Sequence, residues 1–172
     1  MPAVRQRRSG LMNYLFKKPL YKWFGISAII VVLDLYTKHL VQNAFAYGEQ
    51  LAVTSFFDLV RYHNEGAAFS FLADAGGWQK WFFSGVSMVA VVVITYLINK
   101  HQNQKLFCAG LALVLGGAIG NLYDRLTLGY VVDFLSFHIN GLFWPAFNVA
   151  DSAICVGVAF LLLDSFKTSS KQ

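Results

Sequence analysis

Four long apolar runs alternate with polar connections along this chain: Trp23 to about Val41, Trp78 to Ile98, Leu106 to about Tyr123, and Phe147 to about Leu163. Each approaches the roughly 20 residues a bilayer-spanning helix needs, so the pattern predicts four transmembrane helices. The two longer connections have a different texture. "LAVTSFFDLVRYHN" (51–64) and "GYVVDFLSFHINGLFWPAFN" (129–148) are rich in β-branched and aromatic residues, the composition of short strands. Asn140-Gly141 is a hairpin turn signal within the second. "FLADAGGWQKWFF" (71–83) is expected to include a short interfacial helix. No internal repeat stands out, so residues 1–172 read as a single domain whose ends, 1–12 and 166–172, are expected to be disordered.

The first run raises a processing question. A basic start, an apolar core and Ala44-Phe45-Ala46 together imitate a cleavable signal peptide. The stretch between core and A-x-A is long, however, and carries Asp34, Lys38 and His39. An uncleaved anchor is the expectation.

Composition agrees with a membrane protein. The chain is 56% hydrophobic and only 13% charged, with a mean hydropathy of +0.50, against about 25% charged residues in an ordinary soluble domain. The net charge of +5 does not signal nucleic acid once it is mapped. Arg5, Arg7, Arg8, Lys17, Lys18 and Lys22 precede the first span, Lys100 and Lys105 lie in the short second connection, and Lys167 and Lys171 lie at the end. The long connections hold Arg61 and Arg125. By the positive-inside rule both termini face the cytoplasm and the two longer loops face out. Cys108 and Cys155 sit in apolar runs without a CxxC partner, so neither a disulfide framework nor a zinc site is expected.

This topology sorts the polar residues by depth. Asp34 and Lys38, four apart on one helical face, fall in the outer half of span one. Asn121, Asp124 and Arg125 fall at the outer end of span three, and Asn148 and Asp151 at the outer start of span four. Asn64 and Asp133 lie in the outer loops. Ionisable residues in a membrane are costly and usually functional. "GGAIGN" (116–121) places small residues where helices can approach closely. Asp34 with Lys38, and Asp124 with the nearby Arg125, are expected as ion pairs tying spans one and three together.

Several chemistries can be weighed. Ser87 lacks a convincing base, His39 being the one histidine at outer depth within a span; HExxH is absent; and His63, His101 and His138 are scattered. The carboxylates remain: Asp133 lies in the outer loop and Asp151 at the outer start of span four, and the 17 residues between them can form a hairpin that brings one back onto the other. Brought together in a low dielectric they cannot both ionise easily, so one serves as acid and the other as base. Such a pair could activate water against a peptide carbonyl without metal or cofactor. Asn148 could bond the dyad or the oxyanion, and Asn121 could orient a backbone. On residues alone a proton-coupled transporter and a structural polar network stay open beside aspartyl hydrolysis. The inner halves of the spans offer a transporter no polar path.

The stretches "DLYTKH" (34–39), "NEGAAFS" (64–70), "GGAIGNLYDRLTLGYVVDF" (116–134) and "FNVADSAI" (147–154) add a further argument. In order and spacing the chain resembles the bacterial lipoprotein signal peptidases, also called signal peptidase II. That resemblance implies four transmembrane helices with a small β-sheet cradle and a short helix on the outer face of the inner membrane. It also implies cleavage of prolipoproteins just before a diacylglyceryl-modified cysteine. Asp133 and Asp151 match the family's catalytic dyad. Asp34, Lys38, Asn64, Asn121, Asp124, Arg125 and Asn148 match residues that shape and line its site. The expected partners are diacylglyceryl prolipoproteins and membrane lipid, with no nucleic acid, no metal and no cofactor, and a monomer is expected.

Overall fold

A computed structural model of the chain describes residues 20–66 and 78–169. Its elements are α1 (Tyr21–Ala44), β1 (Gln50–Ala52), β2 (Phe57–Asn64), α2 (Gln79–Lys100), α3 (Lys105–Thr127), β3 (Val131–Ile139), β4 (Leu142–Phe143) and α4 (Val149–Ser169). All four helices are long and apolar enough to cross a bilayer. Each contains one of the four apolar runs or nearly all of it. α4 continues to Ser169, into the stretch 166–172 expected to be a disordered tail. The N-terminal tail 1–12 lies outside the described residues. So does most of the expected interfacial helix within 71–83, whose last residues form the first turn of α2.

The long connections form one antiparallel sheet in the order β1-β2-β3-β4. The stretch 51–64 makes short strands as expected, turning back between Ala52 and Phe57. The Asn140-Gly141 hairpin forms as expected, with Ile139 opposite Leu142 and positive φ at both turn residues (50° and 82°). Positive φ at both central positions matches the right-handed twist of the flanking strands. β1 and β2 join α1 to α2, while β3 and β4 join α3 to α4. The whole sheet therefore sits at one end of the bundle, and the Lys100–Lys105 turn is at the other. Arg61 of β2 fastens the sheet to α1. Its guanidinium donates to the carbonyls of Gln42 and Phe45 at 3.0 and 2.8 Å, where the last helix carbonyls lack partners and carry partial negative charge.

α3 is the central helix and packs against the other three. Its small residues make this possible. A Cβ at Gly116 would lie 2.8 Å from the Ser27 carbonyl oxygen of α1, one at Gly120 would strike the Asp34 carboxylate, and one at Gly117 would strike the Ala150 carbonyl of α4. Gly110 and Gly157 meet each other's backbones in the same way. In lipid, where tails are as apolar as leucine, such close backbone approach is a main source of helix association. Away from the sheet the bundle closes on Trp23, Ile94, Ile98, Cys108, Leu111, Ala112 and Leu115. Ser27 is buried near this cluster, and its hydroxyl donates to the carbonyl of Ala112 at 2.8 Å. Polar side chains gather at the sheet end instead.

The contact at Gly120 is testable. Gly120→Ala places a methyl against a buried carboxylate and should cost about 1–3 kcal/mol through overpacking. A lowered midpoint of thermal unfolding in detergent is the expected result. An unchanged midpoint would mean the two helices separate there at no cost.

Candidate functional site

Two cavities open at the sheet end of the bundle. The larger, about 440 Å³, is bounded mainly by apolar groups, among them Val131, Trp144, Phe147, Ile154 and Cys155, with Asn121, Arg125 and Asp151 on its wall. The smaller, about 360 Å³, is more polar and includes Tyr62, His63, Asp133 and Ser136. Asn64 and the segment Trp144-Pro145-Ala146 border both. One aspartate thus faces each cavity, on either side of a shared wall.

The chain brings the two aspartates together from the strand before α4 and from its first turn. β3 remains in register with the α4 entry, since Phe134 and Leu135 donate to the Phe147 carbonyl and Phe147 donates back to Leu135. Asn148 then acts at both carboxyls. Its Oδ1 accepts the Asp151 N–H at 2.9 Å, as a helix N-cap does. Its Nδ2 donates to Asp133 Oδ1 at 2.7 Å and to the Val132 carbonyl at 3.3 Å. The other Asp133 oxygen accepts from Asn64 Nδ2 at 3.0 Å, and Asn64 Oδ1 is occupied by the Gly66 N–H. Asp151 Oδ1 accepts from Asn121 Nδ2 at 2.8 Å.

Behind Asn121 lies a charged layer that touches neither cavity. The Lys38 ammonium, 2% exposed, reaches Asp34 at 2.7 Å, Asp124 at 3.0 Å and Asn121 Oδ1 at 3.0 Å. Three acceptors meet its three donors. Asp34 Oδ1 also accepts the Ala150 N–H of α4 at 2.9 Å, and Asp124 Oδ2 also accepts the Val132 N–H of β3 at 3.1 Å. The expected ion pair between Asp34 and Lys38 is present. Asp124, however, pairs with Lys38 and not with Arg125. Adjacent residues on a helix point about 100° apart, so Arg125 turns away to the carbonyls of Gly66 and Asn121, at 3.0 and 3.4 Å, and over the Phe83 ring.

The two aspartates differ in surroundings. Asp133 is 3% exposed, and its hydrogen-bond donors are the neutral amides of Asn64 and Asn148. Burial pushes its carboxyl up to about 7, and the negative charge of Asp151 pushes the same way; the two amide hydrogen bonds and Lys38 only partly oppose this. His63, stacked on Tyr130 at 3.7 Å and tilted against Tyr47 at 4.4 Å between ring centroids, is held below the ordinary histidine range by burial and by Arg61, against Glu65. An acid carrying its proton near pH 7, beside a second carboxyl, suits general acid–base work on water and a carbonyl.

All nine residues singled out from sequence lie in this region: Asp133, Asp151, Asn64, Asn121, Asn148 and Arg125 at or between the cavities, and Asp34, Lys38 and Asp124 behind them. Sequence reasoning missed the Trp144-Pro145-Ala146 wall, although a Pro beside a Trp at a strand-to-helix junction was a visible signal. His138, one of the scattered histidines, meets Asp58 through Nε2 at 3.1 Å, and Asp58, itself buried, also accepts from Gln50 at 2.6 Å, so the cluster links β1, β2 and β3. Among the described residues no cluster of three His, Cys, Asp or Glu is placed to hold a metal ion.

The chain was compared with known proteins. The profile of the signal peptidase (SPase) II family matches residues 26–167. A lipoprotein signal peptidase of Ralstonia nicotianae is 54% identical over 145 residues, covering 84% of each chain. One of Paraburkholderia phymatum is 51% identical over 160 residues, covering 91% of this chain and 96% of that one. A solved bacterial membrane enzyme superposes with a TM-score of 0.80 at 27% identity, over 88% of this chain and 91% of the other.

The raised Asp133 pKa has a measurable consequence for stability. Between about pH 4 and 7 the folded protein holds a proton at Asp133 that the unfolded chain releases, so this group's contribution to stability falls as pH rises through that window. Asp133→Asn removes the titration. The variant should gain thermal stability relative to the parent at pH 8 and gain little at pH 4. Parallel pH profiles for the two proteins would show that burial does not perturb Asp133.

Proposed function

Because the chain belongs to the signal peptidase II family, a family of membrane peptidases, we propose that Asp133 and Asp151 are its catalytic dyad. In this reading the protein removes signal peptides from diacylglyceryl-modified prolipoproteins, just before the lipidated cysteine. The observation that carries it is Asn148, one side chain bonded at once to the Asp133 carboxylate and to the Asp151 N–H. A purely structural polar network does not require two carboxyls to face two solvent-sized cavities across a common wall.

Asp133 carries the proton and Asp151 accepts one from the attacking water. The water oxygen bonds to the scissile carbonyl carbon as Asp133 protonates the carbonyl oxygen. Collapse of the tetrahedral intermediate breaks the C–N bond: the proton held by Asp151 goes to the leaving nitrogen, and one gem-diol hydroxyl returns its proton to Asp133 as the carbonyl re-forms. The larger cavity, walled by Trp144, Phe147, Ile154 and Cys155, suits the lipid-bearing side of the substrate, and the polar cavity suits peptide. The lysine and arginine distribution supports both termini in the cytoplasm and the sheet end at the outer leaflet. Such a substrate, anchored by its acyl chains, presents its scissile bond at that depth. The apolar packing around Ile98, Cys108 and Leu111 at the opposite end disfavours a transport path.

Three outcomes are expected from purified protein in detergent given a diacylated prolipoprotein, with signal-peptide release followed by gel shift. Asp133→Asn and Asp151→Asn each abolish release while expression and thermal stability persist, and the parent's rate is indifferent to chelators. The parent's rate also declines as pH rises through about 7, where Asp133 loses its proton. Sustained cleavage by either variant would refute the dyad.

A further inference from the structure

Asn121 presents a choice that its own helix does not make. An amide accepts at its oxygen and donates at its nitrogen, and half a turn about its last torsion exchanges the two. Oδ1 lies 3.0 Å from the Lys38 ammonium and Nδ2 lies 2.8 Å from Asp151 Oδ1. Reversed, the NH2 group would face an ammonium that has only donors, and the oxygen would face a carboxylate. Both contacts would be repulsive at a residue that is 7% exposed, beside a lysine that is 2% exposed, where low dielectric magnifies the penalty.

We propose that Lys38 is a positioning residue that sets the sense of the Asn121 amide, so that a donor and not an acceptor confronts Asp151. The inference rests on Asp133 and Asp151 being the dyad. Lys38 touches neither cavity, and its hydrogen-bonded route to the Asp151 carboxylate runs through Asn121. Its own orientation is settled by Asp34 and Asp124, at 2.7 and 3.0 Å. Charged groups on the elements packed around Asp151 are Arg125 and Asp124 of α3, Asp34 and Lys38 of α1, and Asp133 of β3, with His63 of β2 on the far side of the shared wall. Of these, Lys38 is the group linked to the Asp151 carboxylate through the Asn121 amide. A donor at this place leaves Asp151 able to take a proton from water. An acceptor would require a proton between the two oxygens before the reaction starts.

Removing Lys38 is a poor test, because Asp34 and Asp124 would be left buried without a counter-charge and the fold could fail. Asn121→Asp is sharper. It conserves shape and the oxygen facing Lys38, and replaces only the NH2 group that faces Asp151. Rates would be measured on a diacylated prolipoprotein across about pH 5 to 9, with thermal midpoints recorded alongside. The acid limb of kcat should move up by at least about one pH unit, with KM changed less than about twofold. Asn121→Ala, which deletes the donor without adding an acceptor, should move the limb by about half a unit and carries the test if the aspartate variant does not fold. A uniform loss of rate with an unmoved limb, in a folded variant, overturns the inference and leaves Asn121 as packing. Asp133→Asn and Asp151→Asn in the same assay separate the two readings. Cleavage by either defeats the dyad itself, whereas two inactive variants with an unmoved limb defeat only the role of Lys38.

Discussion

A single ammonium group buried among four elements is the constraint on which the rest of the structure depends. Lys38 cannot be desolvated without acceptors for each of its three donors and a negative charge among them to offset the cost of burial. Asp34 and Asp124 meet that demand, and each has an oxygen engaged with the backbone of a further element. Asp34 holds Ala150 at the start of α4, and Asp124 holds Val132 of β3. The elements bearing Asp151 and Asp133 are thus both referenced to one point on α1. A change of register in any of them would strand a buried charge.

The close packing of α3 allows this arrangement to exist. Gly120 leaves room for the Asp34 carboxylate, and Gly116 and Gly117 let α1 and α4 approach on neighbouring faces. Small residues and buried charge are two aspects of one device: the absence of side chains on α3 brings the polar groups near enough to satisfy one another. Where the same bundle needs no chemistry, at the end away from the sheet, it packs leucine, isoleucine and alanine instead.

Asn148 shows how local structure becomes chemistry. As an N-cap it satisfies a free N–H at the start of α4, an ordinary task. Its remaining donors reach Asp133, so the residue that starts the helix also sets the spacing of the two carboxyls. Because Asp133 is enclosed and Asp151 is half-buried at a helix start, two chemically identical groups stand in unlike environments, as the proposed acid and base roles require.

Much of this was legible in the sequence. Four apolar runs determined four helices, because nothing else buries that many apolar residues in succession while satisfying the backbone in lipid. Asn140-Gly141 determined its hairpin turn because few residue pairs accept positive φ twice. The gathering of Asp34, Lys38, Asn121, Asp124, Asn148 and Asp151 at one depth followed from helix rise and chain direction alone. Tertiary structure decided who pairs with whom. Asp124 and Arg125 are neighbours in sequence yet serve different partners, since rotation about the helix axis sends one toward α1 and the other toward Gly66. The cavities on either side of the Trp144–Ala146 segment, the Asp58–His138 contact and the sense of the Asn121 amide were likewise beyond the sequence. Each depends on distances between segments remote along the chain, and hydrophobic pattern specifies which face is buried but not which atom lies opposite.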